Sequence, residues 1–578
     1  LYIMRVAVTQ FATSLNAHEN ISTCVRIINE VASCQPDIIV LPQYCNTQPC
    51  YEDHDQAWQE ALALNGDFFQ QIATQAKKHS CYIVFNATVR RDLARDTTNA
   101  SIKSNISVTT CLISPDGALI QQTDQQALQA HESEYFISTN NTTEIITTPL
   151  AKLGLLAGQD AITYSKAREL GMQGAQLLCN AQSTNTAEQN HFYDLTRSVE
   201  NNVFIATANN VGALMKEHLN ERGVGTGFSQ IVNTNGKVLA QITHNNEGFT
   251  FADIDTAKAG LNNKYRPDGT AFFNQHRIEL YQQDATLQKQ TAEIKATNNN
   301  VPETANVALF ATYKSNEQAI EDVCHYIENN LSDIIQLPEL FFIDDKSITH
   351  NAAKLDVIEV LCTEIINKIS TTLRPFQYVC TSLVIDGAHQ AALINNHGVF
   401  ALQQQLHFCN RYKWTELGDD LNIVELPLEQ GAIKIAMLTA DDANMPEIVK
   451  VAALNCIHVL LIPFDIQESS EVDCCLLSLA AENGICIVAA SREKSFALDP
   501  LIMQDDNSAT TGNKKKIKQK KSTGLVIDIT NSTTLSHKNN QFNVSGCLNR
   551  SADRLKVKQQ HGKITKALVH PSPTLCKS

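Results

Sequence analysis

Several things are missing from this sequence, and each absence removes a class of function. Its 578 residues hold no apolar run that approaches a membrane span, so a membrane-embedded chain is not expected. Basic residues are the minority charge: 46 Lys and Arg against 61 Asp and Glu leave a net charge of -15. Phosphate binding needs clustered Lys and Arg to release counterions, so neither nucleic acid nor an anionic membrane is an expected partner. No charged segment followed by an apolar core and a small-residue cleavage site opens the sequence, which makes the cytoplasm the expected location. Zinc spacing is missing too: no Cys-x-x-Cys pair is joined to a second one, and Cys474 and Cys475 are adjacent, so neither a metal nor another cofactor is expected. The 17 cysteines instead sit in apolar runs such as Leu177-Leu178-Cys179 and Gly484-Ile485-Cys486-Ile487, where cysteine behaves as a small core residue and stays reduced.

What is present is an ordinary globular balance, 43% hydrophobic and 19% charged, in a chain too long for one core. Two large domains are the simplest count, and an internal repeat supports it. Asp37-Ile38-Ile39-Val40-Leu41-Pro42-Gln43 returns as Asp333-Ile334-Ile335-Gln336-Leu337-Pro338-Glu339. Gly154 to Ala161 returns as Ala436 to Ala443, and Glu200-Asn201 with the strand through Ile205 returns as Glu482-Asn483 with the strand through Ile487, these two matches sharing one offset. Between these anchors apolar strands alternate with helical patterns, such as Ala167 to Met172 followed by Ala175 to Cys179, which predicts layers of helix over sheet. Domain one is placed at 4–287, a polar linker at 288–303, and domain two at 304–560 with a lysine-rich insertion at 513–522. Lys514 to Lys521 reads as a solvated loop tip rather than a nucleic-acid arm.

The repeated strands resemble landmarks of the nitrilase, or carbon-nitrogen hydrolase, superfamily. Arg5-Val6-Ala7-Val8-Thr9-Gln10-Phe11 resembles its first strand, and Asp37 to Gln43 the strand that bears its catalytic Glu. Ser114-Pro115-Asp116-Gly117 resembles the hairpin before its Lys, and Gly154 to Asp160 the strand and turn carrying its nucleophilic Cys. Arg197-Ser198-Val199-Glu200-Asn201, then Gly227-Phe228-Ser229 with Asn235-Gly236, and the tail Arg277-Ile278-Glu279-Leu280-Tyr281 continue the series in order. The second half keeps the Leu337-Pro338-Glu339, Asp442 to Glu447 and Glu482-Asn483 signatures. The resemblance implies an α/β chain of two αββα sandwich domains, packed within the chain as an αββα-αββα pseudo-dimer.

The resemblance also implies a Cys to attack carbon, a Glu to move protons and a Lys to stabilise the oxyanion. Residue by residue, the Glu position holds Gln43, the Lys position, counted from Gly117, holds Gln125, and the Cys position holds Gly158. In the second half the Glu is kept as Glu339, the Lys position falls on Gln405 or Leu406, and the Cys position holds Ala440. Loss of a nucleophile from such a set costs on the order of a million-fold in turnover. The expectation is a pseudoenzyme that binds a small amide or carboxylate ligand or serves as a scaffold. A polar-lined cavity around Gln43, Gln125 and Gly158 would favour the ligand, and bulky apolar filling the scaffold. The alternative is a divergent carbon-nitrogen hydrolase acting on a linear amide with a replacement nucleophile such as Cys45 or Thr439. Glu339 is expected to shift toward its protonated form if buried without a Lys, unless Arg411 or Lys413 stands in. Structural roles are expected for Asp160 and Asp442, bracing the turn after the former nucleophile position, and for Glu200 and Glu482, bonded to buried backbone or a neighbouring strand. His131 and His407 are expected as surface or packing residues, and Cys179 and Cys456 as core-strand thiols.

Overall fold

The computed structural model describes residues 3–91, 105–129, 131–139, 144–184, 192–216, 221–281, 302, 304–312 and 314–492. It also describes the strands Ser522–Asp528, Thr534–Lys538, Gln541–Cys547, Arg554–Gln559 and Ala567–Val569. Residues 288–301, most of the expected linker, and the lysine run 514–521 lie outside the described residues. The chain divides into two compact units, residues 1–265 with 271–273, and residues 266–270 with 274–578. The tail Arg277 to Tyr281, expected in domain one, therefore falls in the second unit, where Arg277 Nη1 donates to the Leu406 and Gly418 carbonyls at 2.8 and 2.7 Å.

The first unit is an αββα sandwich, and inner strands such as Ile38–Val40 and Leu177–Gln182 are buried along their whole length because both of their faces are covered. One sheet runs Gly248–Asp255, Ile3–Gln10, Ile38–Val40, Tyr82–Arg90, Ile106–Ile113, Leu119–Asp124, and the other Val238–Gln241, Gln230–Val232, Phe204–Asn209, Leu177–Gln182, Lys152–Ala157, Ile146–Thr147. The two-residue period of a strand sends Met4, Val6, Val8, Ile38 and Val40 toward Leu153, Leu155, Leu177 and Phe204 of the opposite sheet. Ala7, Ile39 and Leu41 point the other way, against Ile21, Cys24 and Ile28 of the helix Ala17–Val31 and Phe69 and Ile72 of the helix Asp67–His79. Asn16 starts the first of these helices, its side chain accepting from the His18 and Glu19 amides. On the far side the helix Tyr164–Met172 packs Ala167 and Leu170 on Leu178 and Ile205.

The second unit repeats this layering. Ala305, Val307, Leu309 and Ile334 meet Ile433, Ile435, Val459 and Leu461 between two seven-stranded sheets. Ala308, Ile335 and Leu337 face the helices Asn316–Glu328 and Ala352–Thr372 through Ile320, Val323, Ile365 and Ile369. The order of parallel neighbours is the same in both units: Ile3–Gln10 beside Ile38–Val40 beside Tyr82–Arg90, and Thr304–Phe310 beside Ile334–Glu339 beside Tyr378–Ile385. Among the described residues no helix is long and apolar enough to cross a membrane.

Candidate functional site

In the first unit the ends of three strands bring Gln43, Gln125 and Gly158 together. Gln43 follows Leu41-Pro42 past its strand end; its amide donates to the Gln182 carbonyl at 3.1 Å and its carbonyl accepts from Asn210 Nδ2 at 2.9 Å. Gln125 lies just past the strand Leu119–Asp124, and its amide donates to the Val108 carbonyl at 2.8 Å. Both side chains are buried, at 3% and 2% exposure, and Gln43 Nε2 donates to Gln125 Oε1 at 2.8 Å. Gln125 Nε2 then donates to the Ala127 carbonyl at 2.8 Å and to Glu132 Oε2 at 3.1 Å. Two neutral amides thus satisfy each other in a place where one charge alone would be costly.

Gly158 opens the tight turn Gly158–Ala161 in the left-handed region, at φ +50°. A Cβ on it would stand 2.8 Å from Gln125 Oε1 and 2.9 Å from Nε2, so the Gln125 amide fills the space into which a side chain at 158 would project. The space beside Gly158 is therefore lined by a polar side chain.

Glu132 has no counterpart in the sequence reading. It is buried, and its carboxylate accepts from Tyr44 Oη at 2.5 Å and from the Gln129 amide at 2.8 Å as well as from Gln125. Asp160 braces the loop that carries Gln125, accepting from the Gln126 and Ala127 amides at 2.8 and 2.7 Å. Burial outweighs those two bonds and pushes the Asp160 carboxyl up to about 6.

In the second unit Asp442 does the same work, accepting from the Leu406 amide at 3.0 Å and the His407 amide at 2.8 Å. The matching pattern puts Gln405, rather than Leu406, in the place Gln125 holds: its amide donates to the His389 carbonyl at 3.0 Å and its Nε2 to the carbonyl two residues on, at 2.7 Å. Ala440 is buried in the turn before Asp442, and Thr439 Oγ1 donates to Asp442 Oδ2 at 2.9 Å.

Glu339 is fully buried but has cations beside it. Its Oε2 meets Arg411 Nη1 at 3.2 Å, Lys346 Nζ at 3.3 Å and Tyr412 Oη at 2.9 Å. Arg411 is therefore a partner, as one of the two residues weighed from sequence, whereas Lys346 takes the part considered for Lys413. Arg411 also binds Asp465 at 2.5 Å and Asp441 at 2.7 Å, and Lys346 binds Asp465 at 3.1 Å. Burial opposes the Arg411 charge, yet Asp441 and Glu339 more than compensate and hold its pKa well above the ordinary value. Glu339 Oε1 accepts no hydrogen bond among the described residues. Its neighbour at 3.8 Å is His389 Nε2, which is taken up by Ser382 Oγ at 2.9 Å while Nδ1 donates to Gln405 Oε1 at 2.7 Å. Burial lowers the His389 pKa, against the pull of Glu339.

The other residues singled out from the sequence divide between expected and unexpected places. His407 is no loose packing residue: its ring lies between Asp442 Oδ1, 2.8 Å from Nδ1, and Tyr281 Oη, 2.6 Å from Nε2. His131 is exposed. Glu200 pairs with Arg197 one turn before it at 2.8 Å, and Glu482 is half-buried on the helix Leu476–Asn483. Cys179 is in a core strand, and burial pushes its thiol up to about 12. Cys456 is not in a strand: the helix Pro446–Leu454 has ended, and Cys456 takes a left-handed φ of 59° before the strand starts at Val459. Cys45 is buried and donates to the Pro42 carbonyl at 3.1 Å. Among the described residues no group of three or more His, Cys, Asp or Glu is placed to hold a metal ion.

Comparison with known proteins places the first unit. The family model of the carbon-nitrogen hydrolases matches residues 5–262. Residues 5–262 are a carbon-nitrogen hydrolase domain. Omega-amidase NIT2 of Xenopus tropicalis is 23% identical over 263 residues, spanning 43% of this chain and 88% of that protein. Among solved structures, a mutant amidase of the nitrilase superfamily from Nesterenkonia is 16% identical and covers 44% of this chain and 91% of its own, with a TM-score of 0.36. A double mutant of that amidase in complex with acrylamide is 17% identical, covers 44% and 92%, and has the same TM-score of 0.36.

Proposed function

We propose that this chain is a tandem nitrilase-superfamily protein that has given up Glu-Lys-Cys hydrolysis in both units and works by binding or scaffolding. The observation that carries the proposal is the Gln43–Gln125 bond beside Gly158: a base, an ammonium and a sulfur are replaced by two amides and a hydrogen, and one amide occupies the space of the absent side chain. Amides of this kind neither abstract a proton nor neutralise an oxyanion by charge. In the second unit Ala440 offers a methyl group, and the retained Glu339 is engaged by Arg411, Lys346 and Tyr412. The replacement nucleophiles fare no better: Cys45 is tied to a backbone carbonyl, and Thr439 to Asp442, the carboxylate that also holds the Gln405 loop. The Gln125 amide beside Gly158 favours a structural role for the first site, and the Arg411 and Lys346 cations beside Glu339 are the groups that would meet a small amide or carboxylate ligand.

The test is ammonia release from a panel of linear amides and nitriles by purified full chain, with and without a thiol-reactive inhibitor. No release above a heat-inactivated control is expected. Turnover that co-purifies with the chain and is abolished by the inhibitor would overturn the proposal in favour of a divergent amidase.

A further inference from the structure

Cys474 and Cys475 lie side by side in the π-helical turn Glu471–Cys475, with their Sγ atoms 3.9 Å apart. Cys474 is buried and its thiol donates to the Ser470 carbonyl at 3.3 Å, whereas Cys475 is half-buried and open to a small reagent. A disulfide needs its sulfurs at about 2.05 Å and its Cα atoms roughly 4.4–6.8 Å apart. Consecutive Cα atoms stand only about 3.8 Å apart, so a bond between these two thiols forces the local backbone out of its helical form. Strained disulfides of this sort are the readily reduced, reversible ones. A π-turn is a weak place in a helix, and such turns cluster at functional sites.

The same turn holds a latch. Glu471 Oε1 accepts from Arg266 Nη2 at 2.5 Å and from Asn444 Nδ2 at 3.0 Å, while Oε2 accepts from the Gln467 amide at 2.7 Å and the Glu468 amide at 3.2 Å. Asn444 Nδ2 also donates to the Ala440 carbonyl at 2.9 Å, so the turn through Ala440 is held from the residue four positions before Cys475. Reshaping residues 471–475 moves the carboxylate on which these bonds converge.

We propose that Cys474 and Cys475 are an oxidant-sensitive vicinal dithiol whose closure by hydrogen peroxide releases the Glu471 latch on Arg266 and Asn444. Peroxide converts the Cys475 thiol to a sulfenic acid and leaves as one water. The Cys474 sulfur then attacks that sulfur, the S–O bond breaks, and the hydroxyl departs with the Cys474 proton as a second water. Two thiols are oxidised and one peroxide is reduced.

The full chain would be treated with peroxide, blocked with a maleimide and mapped by peptide mass spectrometry, with amide hydrogen exchange measured before and after. The peptide containing both cysteines is expected to lose two hydrogens and take no maleimide, reversibly with dithiothreitol. Exchange over 440–444 and 467–475 should rise several-fold. Maleimide on both cysteines after peroxide overturns the dithiol, and a disulfide with unchanged exchange at 440–444 overturns the latch. Cys475→Ser should abolish both changes, and the same exchange rise in that variant would assign the effect to other cysteines. Should that variant fail to fold, the comparison of oxidised and reduced wild type still decides.

Discussion

Replacing Gly158 by alanine separates two costs that the structure places on that position. The backbone stands at φ +50°, and holding a residue with a Cβ there costs about 1–2 kcal/mol. The new Cβ also lands 2.8 Å from Gln125 Oε1 and 2.9 Å from Nε2, inside van der Waals contact. Gln125 is fixed by Gln43, Ala127 and Glu132, so it yields poorly, and crowding of that kind costs about 1–3 kcal/mol. Gly158→Ala should therefore destabilise the first unit by about 2–5 kcal/mol, each kcal/mol lowering its Tm by about 2–4 °C. In a Gln125→Ala background the crowding vanishes and only the backbone cost remains. A double-mutant cycle by differential scanning calorimetry should give a coupling of about 1–3 kcal/mol. Equal costs in both backgrounds would refute the idea that the Gln125 amide occupies the nucleophile's space.

Further outcomes follow from the same geometry. Gln43→Glu buries a charge against the Gln125 amide, which itself bonds Glu132, and should cost roughly 2–4 kcal/mol in urea unfolding, with more than half recovered when Gln125→Lys is added. Arg411→Met removes the cation that Glu339, Asp441 and Asp465 share and should cost about 3–5 kcal/mol, part of it regained by Glu339→Gln; the second unit's unfolding transition reads this. For Asp160, a native pKa raised from 3.8 to about 6 means that the folded state holds the extra proton. Its contribution is complete below the unfolded pKa and is lost as pH rises through about 6, up to about 3 kcal/mol in all. Urea midpoints from pH 4 to 7 should fall less steeply in Asp160→Asn than in wild type; parallel slopes would contradict the shift.

The fold was legible because strands buried on both faces leave unmistakable apolar runs, and Leu41-Pro42 and Leu337-Pro338 mark where two of them end. The αββα layering follows from the alternation of those runs with helices such as Tyr164–Met172. The resemblance of Asp37 to Gln43 to the family's Glu-bearing strand, with its counts from Gly117 and back from Asp160, also singled out Gln43, Gln125 and Gly158, which the folded chain gathers at one spot. What stayed hidden comes from loops whose partners are remote in sequence. Glu132 reaches Tyr44 across 88 residues. Lys346 and Asp465 meet around Arg411 only because three separate loops converge. Cys456 was misplaced because an apolar stretch that closes a helix and one that begins a strand look alike until a left-handed residue separates them.

The proposed loss of a sulfur nucleophile from both units is tested most directly by intact-mass spectrometry of the full chain after incubation with reactive amides and nitriles. The chain should keep its unmodified mass at every time point. A substrate-derived acyl adduct on any cysteine, formed and then hydrolysed with time, would contradict the account.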